Sequence, residues 1–186
     1  MYPWSNETRL DTLEVSGKDG VLSFHSETAD ADVHFDDSGI LKVVCKSRGD
    51  ETEIVDPHHI VVGEGIVQRD VYHYLKPGGP AKHLRLGLTR HCGLGTWSSL
   101  PHDFELNTEP GFEEVFFYLL SGTTRTAIQR GRGVWYDNSS VDDAWLVKDR
   151  TFSTIPMGYH PVAAEPGVQV MYIWAYLAKT ERWEKV

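Results

Sequence analysis

The sequence predicts an all-β protein, built as a barrel or sandwich of short strands. Two observations lead to this prediction: many short segments are rich in β-branched and aromatic residues, and glycine-containing turn sequences separate them at regular intervals. No heptad pattern, internal repeat or low-complexity tract interrupts this organisation. The chain has 186 residues, which is enough for one domain with a substantial core.

Composition narrows the possible partners and compartment. The formal net charge is −9, which argues against nonspecific binding to nucleic acid or to an anionic membrane surface. The chain has 2 cysteines, Cys45 and Cys92, and so no disulfide framework. Neither a signal peptide nor an apolar stretch of membrane-spanning length is visible. We therefore expect a reduced, cytoplasmic protein without nucleic-acid or membrane partners.

The first 50 residues are polar and rich in turns. The turn sequences GKDG (17–20) and DDSG (36–39) help to separate four short β-like segments, at 12–15, 21–25, 33–35 and 40–45. Such a meander is too small to be a good domain alone. We predict that residues 1–50 form a β extension packed on a barrel of residues 51–186.

Further strands are predicted up to residue 89. Ile54-Val55 and residues 60–62 are strand-like on either side of Pro57, and Val67–Leu75 alternates loosely before the break at KPGGP. Leu84–Thr89 alternates apolar with polar residues, which is typical of a strand with one buried face.

The stretch GFEEVFFYLLSG (111–122) is the centre of the predicted fold. Its apolar run from Val115 to Leu120 is short, aromatic and bounded by glycines, which favours a buried strand over a helix. Glu113 and Glu114 precede the run directly. As neighbours on a strand they point to opposite faces, so only one can face the interior, and the sequence does not decide which.

The remaining segments complete the set of strands. Thr124–Arg130 is predicted as a paired strand, and residues 144–148 and 151–155 as a hairpin across Asp149-Arg150. Gln169–Leu177 is an apolar, aromatic core strand. The charged tail from Ala178 is predicted to form a short helix or to fray.

His102, Glu114 and His160 each lie at the end of a separate β segment. If the strands lie side by side, these three side chains form a candidate site for a divalent metal such as Zn, Mn, Fe or Ni, with coordination positions open for a substrate. The alternative is that each is a separate polar residue near a strand end. The chain has 9 histidines, so chance triplets are easy to find.

Several motifs together resemble a known family. TWSSLPHDFE (96–105), GFEEVFFYLL (111–120), AIQR (127–130), IPMGYHPVAAEPG (155–167) and MYIWAYLA (171–178) are similar to the 5-deoxy-glucuronate isomerase family of inositol catabolism. That family belongs to the cupin superfamily and is related to the 5-keto-4-deoxyuronate isomerases. The resemblance covers about residues 67–178 and implies a cupin fold, a double-stranded β-helix or jelly-roll barrel.

The resemblance implies a metal held by a His-x-His pair, a glutamate before the aromatic strand and the histidine of a Gly-Tyr-His-Pro turn. The glutamate matches Glu114 and the last histidine matches His160. The His-x-His pair is altered. If His102 keeps the first place, Phe104 takes the second; if the segment is aligned without a gap, Asp103 and Glu105 take the two places. A metal with an acidic fourth ligand, a weakened metal site and no metal are therefore all open.

The implied activity is aldose–ketose isomerisation of an acidic sugar. Glu105 or Asp103 would be the catalytic base when it is not a ligand. Gln129 and Arg130 match a Gln-Arg of the family strand and are assigned to substrate binding, with Arg130 receiving a carboxylate; the alternative for Arg130 is an exposed strand end.

Tyr159 and Trp97 would line the pocket, although aromatic residues in a barrel are more often core. Two other functions are considered: a non-catalytic cupin that binds a sugar or small acid, with a degenerate metal site, and a dioxygenase-type cupin. We also expect a homodimer, because such barrels often pair through exposed sheet edges.

Overall fold

The computed structural model describes residues 13–48, 52–95, 97, 114–135 and 137–178, and it confirms the all-β prediction. The strands are β1 Leu13–Lys18, β2 Val21–Ser26, β3 Ala29–Asp36, β4 Gly39–Ser47, β5 Thr52–Val55, β6 His58–Val62, β7 Arg69–Leu75, β8 Leu84–Leu94, β9 Glu114–Gly122, β10 Thr126–Val134, β11 Ser140–Lys148, β12 Phe152–Ile155, β13 Met157–Tyr159, β14 Val162–Ala164 and β15 Val168–Leu177. A single 3₁₀ turn, Gly65–Val67, lies between β6 and β7. Within these ranges, no helix is long and apolar enough to cross a membrane.

The strands form three antiparallel sheets. The first sheet has the order β1-β2-β3-β4-β5, the central sheet β12-β9-β15-β8-β7-β6, and the third sheet β11-β10-β13 with β14 also paired to β10. Two separate hydrophobic cores lie between them. The first core joins the first and central sheets, and the second joins the central and third sheets. The described strands thus stack as a sandwich of the jelly-roll kind and do not close into a barrel.

The two central strands, β9 and β15, are buried on both faces. On β9, Phe117 faces the first core, where its ring meets Phe35 edge-on at 5.1 Å, while Tyr118 faces the second core. A strand covered on both sides needs an apolar run without alternation, which is the pattern of Val115–Leu120. The central strand predicted from the sequence is therefore confirmed.

The first sheet agrees with the predicted meander, and it extends through β5 to Val55, beyond residue 50. Its inward side chains, such as Leu22, Phe24 and Val33, belong to the same core as Leu86 and Ile173 of the central sheet. The division of the chain at residue 50 stays a prediction.

The prediction of a half-buried strand at Leu84–Thr89 is wrong. Leu84, Leu86 and Leu88 face the first core, but Arg85 and Thr89 on the other face are also buried, at 1% and 5% exposure. Between them, Gly87 leaves room for an indole, since a Cβ at this position would lie 2.2 Å from Cζ2 of Trp174. The alternation is real, but the polar face points into the second core rather than to solvent.

The predicted hairpin across Asp149-Arg150 is also wrong in its pairing. β11 pairs with β10 in the third sheet, while β12 pairs with β9 in the central sheet. The turn is a corner between sheets: the Asp149 N–H donates to Arg125 O at 3.1 Å, and the Arg150 N–H donates to Tyr118 O at 2.9 Å. Since β11 and β12 lie in different sheets, this corner carries the chain from the third sheet back to the central sheet.

Candidate metal centre

Glu114 faces the interior of the fold. It is the first residue of β9 and shares a strand face with Phe116 and Tyr118, both of which belong to the second core. Its side chain is 6% exposed. Glu113 lies outside the described residues. The sequence left open which of the two adjacent acids faces inward, and the structure places Glu114 inside the fold.

Burial leaves one oxygen of the Glu114 carboxyl without a hydrogen-bond donor among the residues that the structure describes. Within those residues, its Oε2 atom accepts no hydrogen bond. Burial raises the pKa of Glu114 well above its usual value, because the charged form loses its hydration. A buried carboxyl of this kind is stable when protonated, or when a cation or another donor approaches it.

His160 lies beside Glu114, with 3.8 Å between its Nε2 atom and Oε2 of the glutamate. Its other ring nitrogen, Nδ1, is 2.6 Å from the carbonyl oxygen of Gly158. A carbonyl only accepts hydrogen bonds, so Nδ1 carries the proton. In the neutral ring, Nε2 then keeps its lone pair, on the side that faces Glu114. This is the usual arrangement of a metal-binding histidine, whose second nitrogen donates to a backbone carbonyl.

The turn that carries His160 needs its glycine. Gly158 has φ +119°, and a Cβ there would lie 2.5 Å from Arg132 O on the paired strand β10. The imidazole also meets the ring of Phe116 edge-on at 5.9 Å. The Pro-x-Gly-Tyr-His sequence therefore brings the imidazole back against β9, where Glu114 begins.

The structure brings together two of the three predicted metal ligands. His102 lies outside the described residues, as do Asp103 and Glu105. In the part of the chain that is described, no group of three or more His, Cys, Asp or Glu side chains is arranged to hold a metal ion. Glu114 and His160 suit a divalent cation, because one offers a buried carboxylate oxygen and the other an oriented imidazole nitrogen. The metal site itself stays a prediction.

The predicted substrate-binding residues occupy different surroundings. Gln129 is fully buried on the inner face of β10, and both ends of its amide are hydrogen-bonded. Its neighbour Arg130 is on the other face, where it pairs with Asp142. Tyr159 is half-buried in β13, and Trp97 is 40% exposed and forms a β-bridge with Ala163 of β14. The structure does not bring the Arg130 side chain next to Glu114 and His160. The substrate-binding roles of these four residues stay predictions.

Sequence reasoning missed the row that Arg85 and Tyr176 form with Glu114 across the central sheet. In the register of the central sheet, Arg85 of β8 lies opposite Tyr176 of β15, and Tyr176 lies opposite Glu114. Side chains directly opposite each other share a face, so all three form one row. Burial, and next the nearby Glu114, raise the pKa of Tyr176, while Arg85 acts in the opposite direction. The alternation of Leu84–Thr89 indicated a second face of the strand that carries Arg85, but this face was predicted to be exposed to solvent.

Comparison with known proteins assigns the family. The model of the KduI/IolB family matches residues 41–186, which begin within β4 and include all of the described strands from β5 onward. The chain belongs to the KduI/IolB family.

Curated relatives of this family member are named 5-deoxy-glucuronate isomerase. The protein of Geobacillus thermodenitrificans is 29% identical over 151 residues, covering 76% of this chain and 54% of the relative. The protein of Geobacillus kaustophilus is 30% identical over 151 residues, covering 76% of this chain and 53% of the relative. The chain thus spans about half the length of the curated relatives it matches.

A solved structure shows the same fold. The crystal structure of an IolB-like protein from Salmonella typhimurium superposes with a TM-score of 0.61 at 19% sequence identity, covering 93% of this chain and 73% of that chain. At this identity the likeness concerns the fold alone. It confirms the predicted cupin class for this KduI/IolB family chain.

Proposed function

We propose that this KduI/IolB family chain is a metal-dependent aldose–ketose isomerase that acts on an acidic sugar of the 5-deoxy-glucuronate type. The observation that carries the proposal is the buried pair of Glu114 and His160, whose oxygen and nitrogen lie 3.8 Å apart inside the second core. The names of the curated relatives support the substrate class.

A divalent cation at this place would polarise the sugar carbonyl and lower the pKa of the neighbouring hydroxyl. Residues next to Glu114 and His160 would support such a cation in two ways. The Gly158 carbonyl keeps the His160 ring in one tautomer. Phe116 stacks on Tyr172 at 4.3 Å and meets His160 edge-on, so aromatic rings exclude water from one side of the pair. A dry surrounding strengthens every electrostatic interaction within it.

Isomerisation also needs a base to move one proton. The proton leaves the carbon that bears the hydroxyl and returns to the adjacent carbonyl carbon, while the hydroxyl proton passes to the carbonyl oxygen. One carboxylate within hydrogen-bonding reach of both carbons is sufficient for this transfer. We propose Asp103 or Glu105, whichever is not a ligand, because both lie within three residues of His102 in the sequence.

The test combines metal analysis with an isomerase assay. Protein purified without chelator, and protein reloaded with Zn, Mn, Fe or Ni, is assayed with 5-deoxy-glucuronate. We expect about one metal per chain, and we expect Glu114→Gln and His160→Ala to lose the metal and at least about 100-fold in kcat/KM. Glu53→Gln and His25→Ala change an exposed glutamate and an exposed histidine in the first sheet and serve as matched controls.

One rival function has a specific observation in its favour. The His-x-His place is altered in residues 102–105, which favours a non-catalytic cupin that binds an acidic sugar. Binding of 5-deoxy-glucuronate without turnover, in protein loaded with any of the four metals, would support this binder and contradict the isomerase. Absence of metal with unchanged stability in His160→Ala would contradict the metal centre itself.

A further inference from the structure

Gln129 joins the two elements that carry Glu114 and His160. It lies on β10 with 0% exposure, between the strand β9 and the turn after β13. Its Oε1 atom accepts a hydrogen bond of 2.7 Å from the hydroxyl of Tyr118. Tyr118 lies on the same face of β9 as Glu114, four residues further along. One end of the Gln129 amide is therefore tied to the glutamate strand.

The other end of the amide is tied to the histidine turn. The Nε2 atom of Gln129 donates to the carbonyl oxygen of His160 at 2.8 Å and to that of Pro161 at 3.2 Å. It also lies 3.0 Å from the carbonyl of Arg130. The backbone adds a parallel contact, since the Arg130 N–H donates to Pro161 O at 2.9 Å. The turn is thus fixed to β10 at the residue whose imidazole faces Glu114.

We propose that Gln129 is a positioning residue that sets the His160 imidazole against Glu114, rather than a substrate contact. This inference rests on the proposed metal-dependent function. The position requires an acceptor for a phenol and a donor for carbonyl oxygens in one side chain, and a carboxamide supplies both. A glutamate of the same shape has no N–H, and a methionine of similar length makes neither bond.

The experiment compares Gln129→Met with Gln169→Met. Gln169 is a matched control, because its Nε2 donates to the carbonyl of His91 on β8 at 2.6 Å and to that of Val170 on β15 at 3.3 Å. Competition with a chelator gives the affinity for Zn²⁺. We expect Gln129→Met to lose about 10–100-fold in affinity, the loss typical of a partner that orients a metal-binding histidine. We expect Gln169→Met to stay within about 2-fold of the wild type, because its amide bonds do not reach the His160 turn.

A second readout needs no metal. Long-range ¹H–¹⁵N NMR of the metal-free protein reports which ring nitrogen of His160 is protonated. We expect the Nδ1–H form alone in the wild type and in Gln169→Met, because the Gly158 carbonyl holds it. In Gln129→Met we expect mixed tautomers or exchange broadening, because the turn is no longer fixed.

The outcomes separate the two proposals. If the wild type binds none of Zn, Mn, Fe and Ni, the proposed function fails, and the tautomer of His160 still decides the role of Gln129. If Gln129→Met matches Gln169→Met in both measurements, the positioning role is overturned. Should Gln129→Met fail to fold, Tyr118→Phe keeps the amide and removes only its phenol donor. We then expect a smaller change of the same kind, and wild-type behaviour in that variant would overturn the inference.

Discussion

At the scale of single residues, two arginines of the described strands differ in their burial and in their partners. Arg130, which the sequence favoured, is on the outer face of β10 and paired with Asp142. Arg85 is fully buried, and its Nη1 atom lies 3.3 Å from the carbonyl oxygens of Ala81 and Leu84. Because Arg85 belongs to the row that also contains Glu114, we propose that Arg85, rather than Arg130, would receive the carboxylate of an acidic sugar if the chain binds one.

We expect Arg85→Lys to raise the KM for 5-deoxy-glucuronate by about 10–100-fold, because a lysine cannot reproduce the two parallel hydrogen bonds of a guanidinium to a carboxylate. Steady-state kinetics of folded, metal-loaded protein measures the effect. Arg48→Lys, at the residue directly after β4, is the control for the substitution itself. A rise in KM in Arg130→Lys, with Arg85→Lys unchanged, would restore the assignment made from the sequence.

The sequence could predict those residues of the site that lie in recognisable short motifs. The positions of Glu114 and His160 were identifiable because each lies in a short motif, a glutamate before an aromatic run and a histidine in a glycine turn. The choice of Glu114 over Glu113 depends on the register of β9 with β15 and β12, which local pattern does not contain. Arg85 was missed for a related reason, since alternation shows that two faces differ but not that both are covered.

At the scale of elements, the edge strand β6 depends on a network centred on Asp70. The Asp70 carboxylate accepts hydrogen bonds from Arg90 of β8 at 2.8 Å and from His59 of β6 at 2.9 Å, and the His59 ring stacks on Tyr72 at 4.5 Å. Arg90 first, and His59 in addition, hold the pKa of Asp70 below its usual value. Three strands thus share one carboxylate at the end of the central sheet.

We expect Asp70→Asn to lower the free energy of unfolding by about 1 kcal/mol at pH 7, a modest amount because the pair is partly solvated. A carboxylate whose pKa is lower when folded stabilises the protein above its unfolded pKa, about 3.9, and this contribution disappears as the pH falls through the folded value. Urea unfolding between pH 7 and pH 3 should show the two proteins converging at the acid end. Arg90→Met should reduce the same pH dependence. A constant gap between wild type and Asp70→Asn would contradict this account.

The strands themselves were predictable, whereas their partners were not. Turn residues mark where β11 ends and β12 begins, so the bounds near Asp149 and Arg150 were expected. The pairing is decided elsewhere, because the Leu120 N–H donates to the Asp149 carboxylate at 2.9 Å and the Arg150 N–H to Tyr118 O at 2.9 Å. These contacts join residues that are about 30 positions apart in the sequence, and a local pattern cannot report them.

At the scale of the whole molecule, the central sheet makes the two cores interdependent. The strands β9 and β15 contribute one face to each core, so the first sheet covers the back of the strand that carries Glu114. We therefore expect the arrangement of Glu114 and His160 to depend on packing in the first sheet, although that pair and the first sheet lie on opposite faces of the central sheet. The homodimer expected from the sequence stays a prediction.

We expect Phe24→Ala to show this coupling, because Phe24 lies on β2, is 1% exposed and packs in the first core. Removing a buried phenylalanine costs about 3–5 kcal/mol, a large part of the stability of an ordinary domain. Native-state hydrogen exchange should show equal losses of protection for the slowest amides of β3, β9 and β15, because one cooperative unit opens as a whole. Leu41→Ala, at a residue of the same sheet that is 62% exposed, should change none of them. Loss of protection confined to β1–β5 would instead mean that the first sheet unfolds independently and that the site does not depend on it.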